Sequence, residues 1–344
     1  MAIHVVERIK NQGKMKSNFP KVSIITPIYN ANKHLHKCLD TLVNQTLQEI
    51  EIILVLDSPT DGSDIIAKQY AAKDNRIVIV ENTHNLHIGL ARNEGLKVAQ
   101  AEYIGFSDHD DYRELSMYEK LYTKAKKEDA DIVLSLPTEI HDGIKKNYDC
   151  GDIQNDFSKE TLLSDLIGFG NNNHSDGAYF VNIHNNIYKK DILLLHNISF
   201  VDTKIISPED VLFQIQSIFF SKKTVLLREA FYYHINNTNN EGSKYSYISY
   251  WKRSEGIQYI YDFLKKNSLF EQYKTYFYTG VCRQFINCLS AAIFNTHLCE
   301  YFKARRHLRS YVFCKPAFAN YNLIQSNKHL PNRLFRQFLV LSLK

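Results

Sequence analysis

The sequence predicts an α/β fold: a mainly parallel sheet with helices on both faces, followed by a C-terminal helical region. Between residues 21 and 137, short runs that are apolar throughout alternate with amphipathic segments of helical period. Strands without polar alternation belong to sheets buried on both sides, and strict strand–helix alternation makes such a sheet parallel. From Tyr245 onward no strand-like run remains, and apolar residues recur at helical spacing.

The elements follow in order. Val22 to Thr26 is the first strand, and a helix from Asn32 places Leu35, Leu39 and Leu42 on one face. Glu51 to Leu56 is the second strand, and the helix from Ser63 turns Ile66 and Tyr70 inward. Ile77 to Val80 is the third strand, with a helix from Gly89 to Ala99 after it. Tyr103 to Phe106 is the fourth; a helix near residues 115–126 and a strand at Asp131 to Leu134 follow. Ser207-Pro208-Glu209-Asp210 has the pattern of a helix start, with Val211, Leu212, Ile215 and Phe219 as its apolar positions. The later helices carry Ile257, Ile260, Tyr261 and Leu264, then Phe277, Val281, Phe285 and Leu289.

Composition narrows the class. A chain of 344 residues buries a large core, and two compact units are expected. No run reaches the apolar length of a bilayer span. Residues 1–20 form a basic leader with Arg8, Lys10, Lys14 and Lys16, and its lack of an apolar core excludes a secretory signal. Cys38, Cys150, Cys282, Cys288, Cys299 and Cys314 include no Cys-x-x-Cys pair, which suits reduced thiols in a cytosol rather than a disulfide or zinc framework. The histidines include no His-Glu-x-x-His, and His34, His36, His84 and His87 read as surface or loop residues. Residues 301–344 hold nine Lys or Arg and no acid, so the net charge of +5 is produced entirely by the tail. Such asymmetry points to an anionic surface.

The chemistry is concentrated in Asp108-His109-Asp110-Asp111, directly after the fourth strand. Two carboxylates separated by one residue can share a hard divalent cation, and ligands of parallel sheets sit at the strand ends. An acidic turn without a metal is the plain alternative. Thr26, Pro27 and Tyr29 at the first strand end can line an apolar slot for a base, and Asp57 at the second can accept an imide proton. The alternative there is a proline turn with an aspartate cap.

Thr26-Pro27-Ile28-Tyr29-Asn30, Val55 to Asp61, Asn85 to Gly89, Ala91-Arg92-Asn93-Glu94-Gly95 and Asp108 to Asp111 occur in the order and spacing of the family 2 glycosyltransferases, which the chain resembles from about Lys21 to Asn237. The resemblance implies a GT-A, Rossmann-like fold and inverting transfer from a nucleotide-activated sugar. It departs at Leu56, where Asp or Asn is usual, and at Ser58-Pro59, where Gly-Ser is usual.

By resemblance, residues 21–137 are the nucleotide-sugar-binding half. Residues 138–240 are the acceptor-binding half with catalytic base and lid loop, and residues 241–344 the helical C-terminal region. Thr26, Pro27, Tyr29, Asp57, Arg92, Asp108 and His109 are then donor-site residues, Arg92 pairing with the diphosphate. Asp108 and Asp110 hold Mn²⁺ or Mg²⁺, His234 is a third candidate ligand, and Asp111 caps the turn or orients the ligands. Asp210 falls where the family places its catalytic carboxylate and is the candidate base; Glu209 is assigned to a sugar hydroxyl. Capping alone also explains this acidic pair. Asn186 stands where Lys is more usual. The polar loop from Asn236 to Ser243 is a candidate lid, and residues 136–178, including Asn171 to His174, a candidate acceptor pocket.

The expected function is transfer from a UDP-sugar to a hydroxyl of a glycan or lipid-linked acceptor in bacterial surface polysaccharide synthesis, lipooligosaccharide or capsule. The expected enzyme is a hexosyl- or N-acetylhexosaminyltransferase, cytoplasmic and peripheral on the inner membrane face, with no nucleic-acid partner. The tail supplies the anionic-membrane contact, with Leu334, Phe338 and Leu341 as an apolar stripe flanked by Arg333 and Arg336. A non-catalytic nucleotide-sugar or glycan-binding module is one alternative. A doubly wound phosphohydrolase, for which no nucleophile motif is present, is another.

Overall fold

The computed structural model describes residues 5–7, 19–141, 144–147, 158–168, 182–236, 247–295, 298–319 and 343. The chain divides into two compact units. The first comprises residues 1–159, 179–203 and 216–237; the second comprises 160–178, 204–215 and 238–344. Residues 237–243 of the candidate lid, Asn171 to His174, and Arg333, Leu334, Arg336, Phe338 and Leu341 of the tail lie outside the described residues.

Ten strands form the sheet of the first unit: β1 (Val5–Glu7), β2 (Val22–Ile28), β3 (Ile50–Leu56), β4 (Ile77–Glu81), β5 (Tyr103–Phe106), β6 (Tyr112–Arg113), β7 (Ile132–His141), β8 (Ile144–Asn147), β9 (Ile187–Lys189) and β10 (Thr224–Asn236). Their order is β1-β4-β3-β2-β5-β9-β7-β10-β6, with β8 beside β7. β4, β3, β2 and β5 run parallel, as do β7 and β10; β9 is antiparallel to both its neighbours, and β1, β6 and β8 are antiparallel edges. The expected mainly parallel sheet is present.

Helices cover both faces. Alternate residues of a strand point to opposite sides. Ile24, Ile52, Leu54, Ile77, Ile79 and Tyr103 share one core with Leu35, Cys38, Leu39 and Leu42 of α1 (Leu35–Val43). The same core takes Ile66 and Ala67 of α2 (Ser63–Ala71) and Tyr118, Leu121 and Ala125 of α4 (Met117–Glu128). Each of the fully buried leucines of α1 is worth about 1.5–3 kcal/mol of transfer free energy. On the other face, Gly95 of α3 (His87–Val98) lies against Ile25, and a Cβ there would collide with the Ile25 side chain. Glycine at that position lets the helix approach the sheet.

Three strands were not foreseen, and one of them, β8, lies in the stretch expected to shape an acceptor pocket and pairs with β7. β1 arises within the basic leader and pairs with β4. β6 follows the acidic cluster immediately and pairs with β10 through Arg113↔Tyr232 and Tyr112↔Tyr233. Two residues are too few to show a period. After β9 comes α6 (Lys190–Leu195).

The second unit is helical. It holds most of α5 (Lys159–Ile167), the start of α7 (Glu209–Phe220), α8 (Tyr247–Lys266), α9 (Phe270–Asn295), α10 (Leu298–Ser310) and α11 (Cys314–Ala319). Ile257, Ile260 and Leu264 of α8 and Phe277, Val281, Phe285 and Leu289 of α9 are all buried, as their spacing predicts. Among the described residues no helix is long and apolar enough to cross a membrane.

Candidate functional site

Register places the site. Ile28 pairs with Leu56, Leu56 with Glu81, and Ile25 with Phe106, so the segments after β2, β3, β4 and β5 emerge along one end of the sheet. This is the carboxyl end of the parallel strands, the usual ligand end of such folds.

Asp57 is 2 % exposed, and its Oδ1 accepts from Asn82 Nδ2 at 2.8 Å and from the Leu86 amide at 2.9 Å. The carboxylate ties the end of β3 to the turn that opens α3. Ser58 has φ 54°, a left-handed conformation in which a side chain is strained. Its hydroxyl donates to the Asn82 carbonyl at 2.8 Å, which offsets the strain at a position where glycine is usual. Asn30, also left-handed at φ 50°, accepts from the Thr60 amide at 2.8 Å. Asp61 accepts from the Asn32 and Ser63 amides at 2.8 and 3.1 Å and so fixes the start of α2. Thr26 and Pro27 are buried within β2, whereas Tyr29 just beyond it is 45 % exposed.

The acidic cluster shows a clear division among its carboxylates. Oxygens of Asp108, Asp110 and Asp111 lie within 4.8 Å of one another. Asp111 is buried, and both its oxygens are engaged by β10. Oδ1 accepts from the Ile235 amide at 2.8 Å, and Oδ2 accepts from the Tyr232 hydroxyl at 2.8 Å and faces His234 Nδ1 at 3.1 Å. His234 is raised to about 9: burial lowers it, but the hydrogen bond to Asp111 and the charges of Asp111, Asp108 and Asp110 outweigh that. Oδ1 of Asp108 accepts from Arg92 Nη2 at 3.1 Å and lies 3.0 Å from His184 Nε2. Burial would raise the Asp108 carboxyl, yet His184 and Arg92 hold it well below the usual carboxylate range. Asp110 is raised by its partial burial and by the charges of Asp111 and Asp108. His109 is half-buried beside them.

This donor set fits a hard divalent cation. It consists of carboxylate oxygens, and like-charge repulsion concentrated on Asp110 is what a cation would relieve. With Asp111 committed to β10, Asp108 and Asp110 are the pair with oxygen capacity remaining. Arg92 is 1 % exposed, packs on Phe200 with 5.2 Å from guanidinium carbon to ring centroid, and reaches the acidic loop through Asp108.

Glu209 and Asp210 open α7 in the second unit, Glu209 buried and Asp210 half-buried. Asn186 is buried, accepting from the Ser135 amide at 3.2 Å and donating to the Asn182 carbonyl at 2.7 Å.

Several contributors carried no sequence signal. His184 is one of 14 histidines and belongs to no motif. Arg113, 2 % exposed, donates to Ser107 Oγ at 2.7 Å beneath the acidic loop; a charged residue after an acidic turn reads as a surface group. Tyr232 accepts from the Asp108 amide at 3.0 Å, 124 residues away in sequence.

The family Glycosyl transferase family 2 matches residues 23–192. The glycosyltransferase EpsJ of Bacillus subtilis (strain 168) is 45 % identical over 114 residues, which span 33 % of each protein. The cholesterol galactosyltransferase of Borreliella burgdorferi is 30 % identical over 271 residues, 75 % of this chain and 72 % of that one. Among solved structures, S. aureus TarS 1-349 in complex with UDP-GlcNAc superposes with a TM-score of 0.68 at 20 % identity, covering 87 % of this chain and 83 % of that one; it shares the fold. With these similarities over most of the chain and the acidic loop at the carboxyl end of the parallel strands, the chain belongs to the family 2 glycosyltransferases.

Proposed function

We propose that this glycosyltransferase moves a hexosyl or N-acetylhexosaminyl unit from a UDP-sugar to a hydroxyl of a glycan or lipid-linked acceptor, with inversion, in bacterial surface polysaccharide synthesis. The observation that carries the reading is the pair of carboxylates with remaining oxygen capacity, Asp108 and Asp110, on the loop after β5, in the same row of strand ends as Asp57. A donor containing a base and a diphosphate would span that row. The similarity to a TarS structure solved with UDP-GlcNAc supports uridine as the base.

Asp57, held by Asn82 and Leu86, offers a fixed acceptor for the imide proton of uracil, and Tyr29 offers an exposed ring beside the strand end. Asp108 and Asp110 would hold Mn²⁺ or Mg²⁺, with His234 a further candidate ligand. When bound, such a cation neutralises the charge that develops on the departing diphosphate. Arg92 acts on the donor through Asp108. His109 flanks the donor. Asp210 takes the proton of the acceptor hydroxyl as it attacks, and Glu209 holds a sugar hydroxyl. The basic C-terminal region brings the enzyme to the cytoplasmic face of an anionic membrane.

The decisive assay is transfer or hydrolysis across a panel of UDP-sugars with Mn²⁺, with and without acceptor glycolipids. Turnover of one or more UDP-sugars is expected. UDP binding without turnover of any donor would instead support a non-catalytic module.

A further inference from the structure

His184 stands on the turn before β9, the strand that pairs with β5 through Gly105↔Ile187 just ahead of the acidic loop. That turn is rigidly built. Ser135 Oγ donates to the Asn185 carbonyl at 2.5 Å, and the Ser135 amide donates to Asn186 Oδ1 at 3.2 Å. The His184 amide and its ring Nδ1 reach the same oxygen, Asn182 Oδ1, at 2.8 and 2.6 Å. An amide oxygen only accepts, so Nδ1 carries a proton, and Nε2 is aimed at the acidic loop. The ring stacks on Tyr232, with centroids 5.5 Å apart and planes 20° from parallel. Tyr232 is the side chain that contacts both Asp108 and Asp111.

At the loop, Nε2 lies 3.0 Å from Asp108 Oδ1 and 2.9 Å from Arg92 Nη2. Arg92 Nη2 is 3.1 Å from the same carboxylate oxygen, which closes a triangle. His184 is 6 % exposed and Arg92 1 %. Neither is placed to meet a ligand directly. With the proton on Nδ1, Nε2 accepts from Arg92 Nη2, and Arg92 in turn donates to Oδ1; Oδ2 of Asp108 has no protein partner among the described residues. A carboxylate tethered by one oxygen cannot swing, so its second oxygen is pre-oriented.

We propose that His184 is a positioning residue for the acidic loop: it holds the Arg92 guanidinium on Oδ1 of Asp108, leaving Oδ2 as the oxygen offered to a divalent cation. The proposal rests on the reading of Asp108 and Asp110 as cation ligands. Tuning of this kind is absent from the motif itself and depends on a residue 76 positions after Asp108 in sequence.

The test titrates Mn²⁺ into the full chain in the presence of UDP and follows binding by calorimetry, with a thermal melt of each variant. His184→Phe keeps a ring on Tyr232 but removes Nε2. It should weaken Mn²⁺ binding roughly tenfold to a hundredfold, as loss of a residue that orients a ligand does, while melting cooperatively. His184→Gln, whose amide can occupy the place of Nε2, should recover most of the affinity. Unchanged Mn²⁺ affinity in the Phe variant, or equal losses in Phe and Gln variants, overturns the proposal. Should the Phe variant not fold, Gln is compared with His184→Asn, whose shorter amide reaches only the place of Nδ1; equal affinities then overturn it. If the wild-type chain with UDP takes up no Mn²⁺, the cation reading itself falls and the proposal with it. Tight wild-type binding with an indifferent Phe variant removes His184 alone.

Discussion

The Tyr232 hydroxyl donates to Oδ2 of Asp111 across 2.8 Å. The same hydroxyl accepts from the Asp108 amide at 3.0 Å, and both partners are part of the loop after β5. One side chain of β10 therefore pins both ends of the acidic cluster. Tyr232→Phe removes these bonds with little change of shape and leaves a buried carboxylate short of a donor. A loss of about 1–3 kcal/mol is expected for an unsatisfied buried partner, read by urea unfolding. A variant as stable as the wild type would mean that the Ile235 amide and His234 suffice to hold Asp111.

Asp110 behaves differently, because burial and the neighbouring charges of Asp111 and Asp108 raise it and removing it relieves that cost. Asp110→Ala should fold at least as well as the wild type, while transfer and Mn²⁺-dependent UDP binding disappear. Full activity in the variant, or undiminished wild-type activity in EDTA, would exclude the metal role.

Asp210→Asn separates chemistry from binding. The amide keeps the shape and much of the capping ability at the start of α7 but cannot take a proton at neutral pH. Turnover should fall roughly a hundredfold or more, in the range of general-base effects, with UDP-sugar affinity nearly unchanged. Collapse of affinity with surviving turnover would assign Asp210 to binding and send the search for the base elsewhere.

Acid stability tests a pair far from the loop. Burial would raise the Asp74 carboxyl, but its hydrogen bonds to Arg76 lower it overall; the guanidinium lies 2.6 Å from Oδ2. A carboxyl depressed in the folded chain stabilises above its unfolded pKa of about 3.9 and loses that contribution as pH falls through the folded value. Asp74→Asn should therefore be less stable than the wild type at pH 7, and the gap should narrow as pH falls below the unfolded value of about 3.9. A difference independent of pH would show that the pair contributes through packing alone.

Much of this architecture could be read in advance, for a physical reason. β2, β3 and β4 are buried on both faces, so they appear in the sequence as mostly apolar runs without polar alternation, and α1 announces itself through Leu35, Leu39 and Leu42. Asp108 and Asp110 stand out because two acids directly after such a run are unusual. Arg92 was visible as a residue of interest, but its burial and its ion pair with Asp108 were not: a guanidinium in a helix reads the same whether it meets solvent, a diphosphate or a carboxylate. His184, Arg113 and Tyr232 were invisible as site residues. His184 and Tyr232 contribute through partners brought near by sheet order, with β9 beside β5 and β10 beside β6, and single-residue spacing holds no trace of that order; Arg113 is only six residues from Ser107, but its burial is not written in the sequence.

The basic C-terminal region yields the last prediction. In α10 and the turn after it, Phe302 is 55 % and Val312 69 % exposed, with exposed Lys303, Arg306 and Lys315 nearby in sequence. Exposed apolar groups among cations match an anionic bilayer, where each Lys or Arg near the surface is worth about 1 kcal/mol and loses it as salt screens the field. Packing of these helices within their own unit accounts for buried Tyr301, Leu308 and Phe313 but leaves Phe302 and Val312 in water. Truncation is a poor probe, because Leu343 is buried and its carbonyl lies 3.6 Å from Cys314 Sγ. The double variant Arg306→Glu with Lys315→Glu leaves that contact alone. In flotation with phosphatidylglycerol-containing liposomes the wild-type chain should rise at low salt and release at high salt, and the double variant should bind roughly tenfold or more weakly, as loss of two such attractions requires. Equal flotation of both proteins would move the docking surface elsewhere, and no flotation of the wild type would remove membrane attachment from the proposed function.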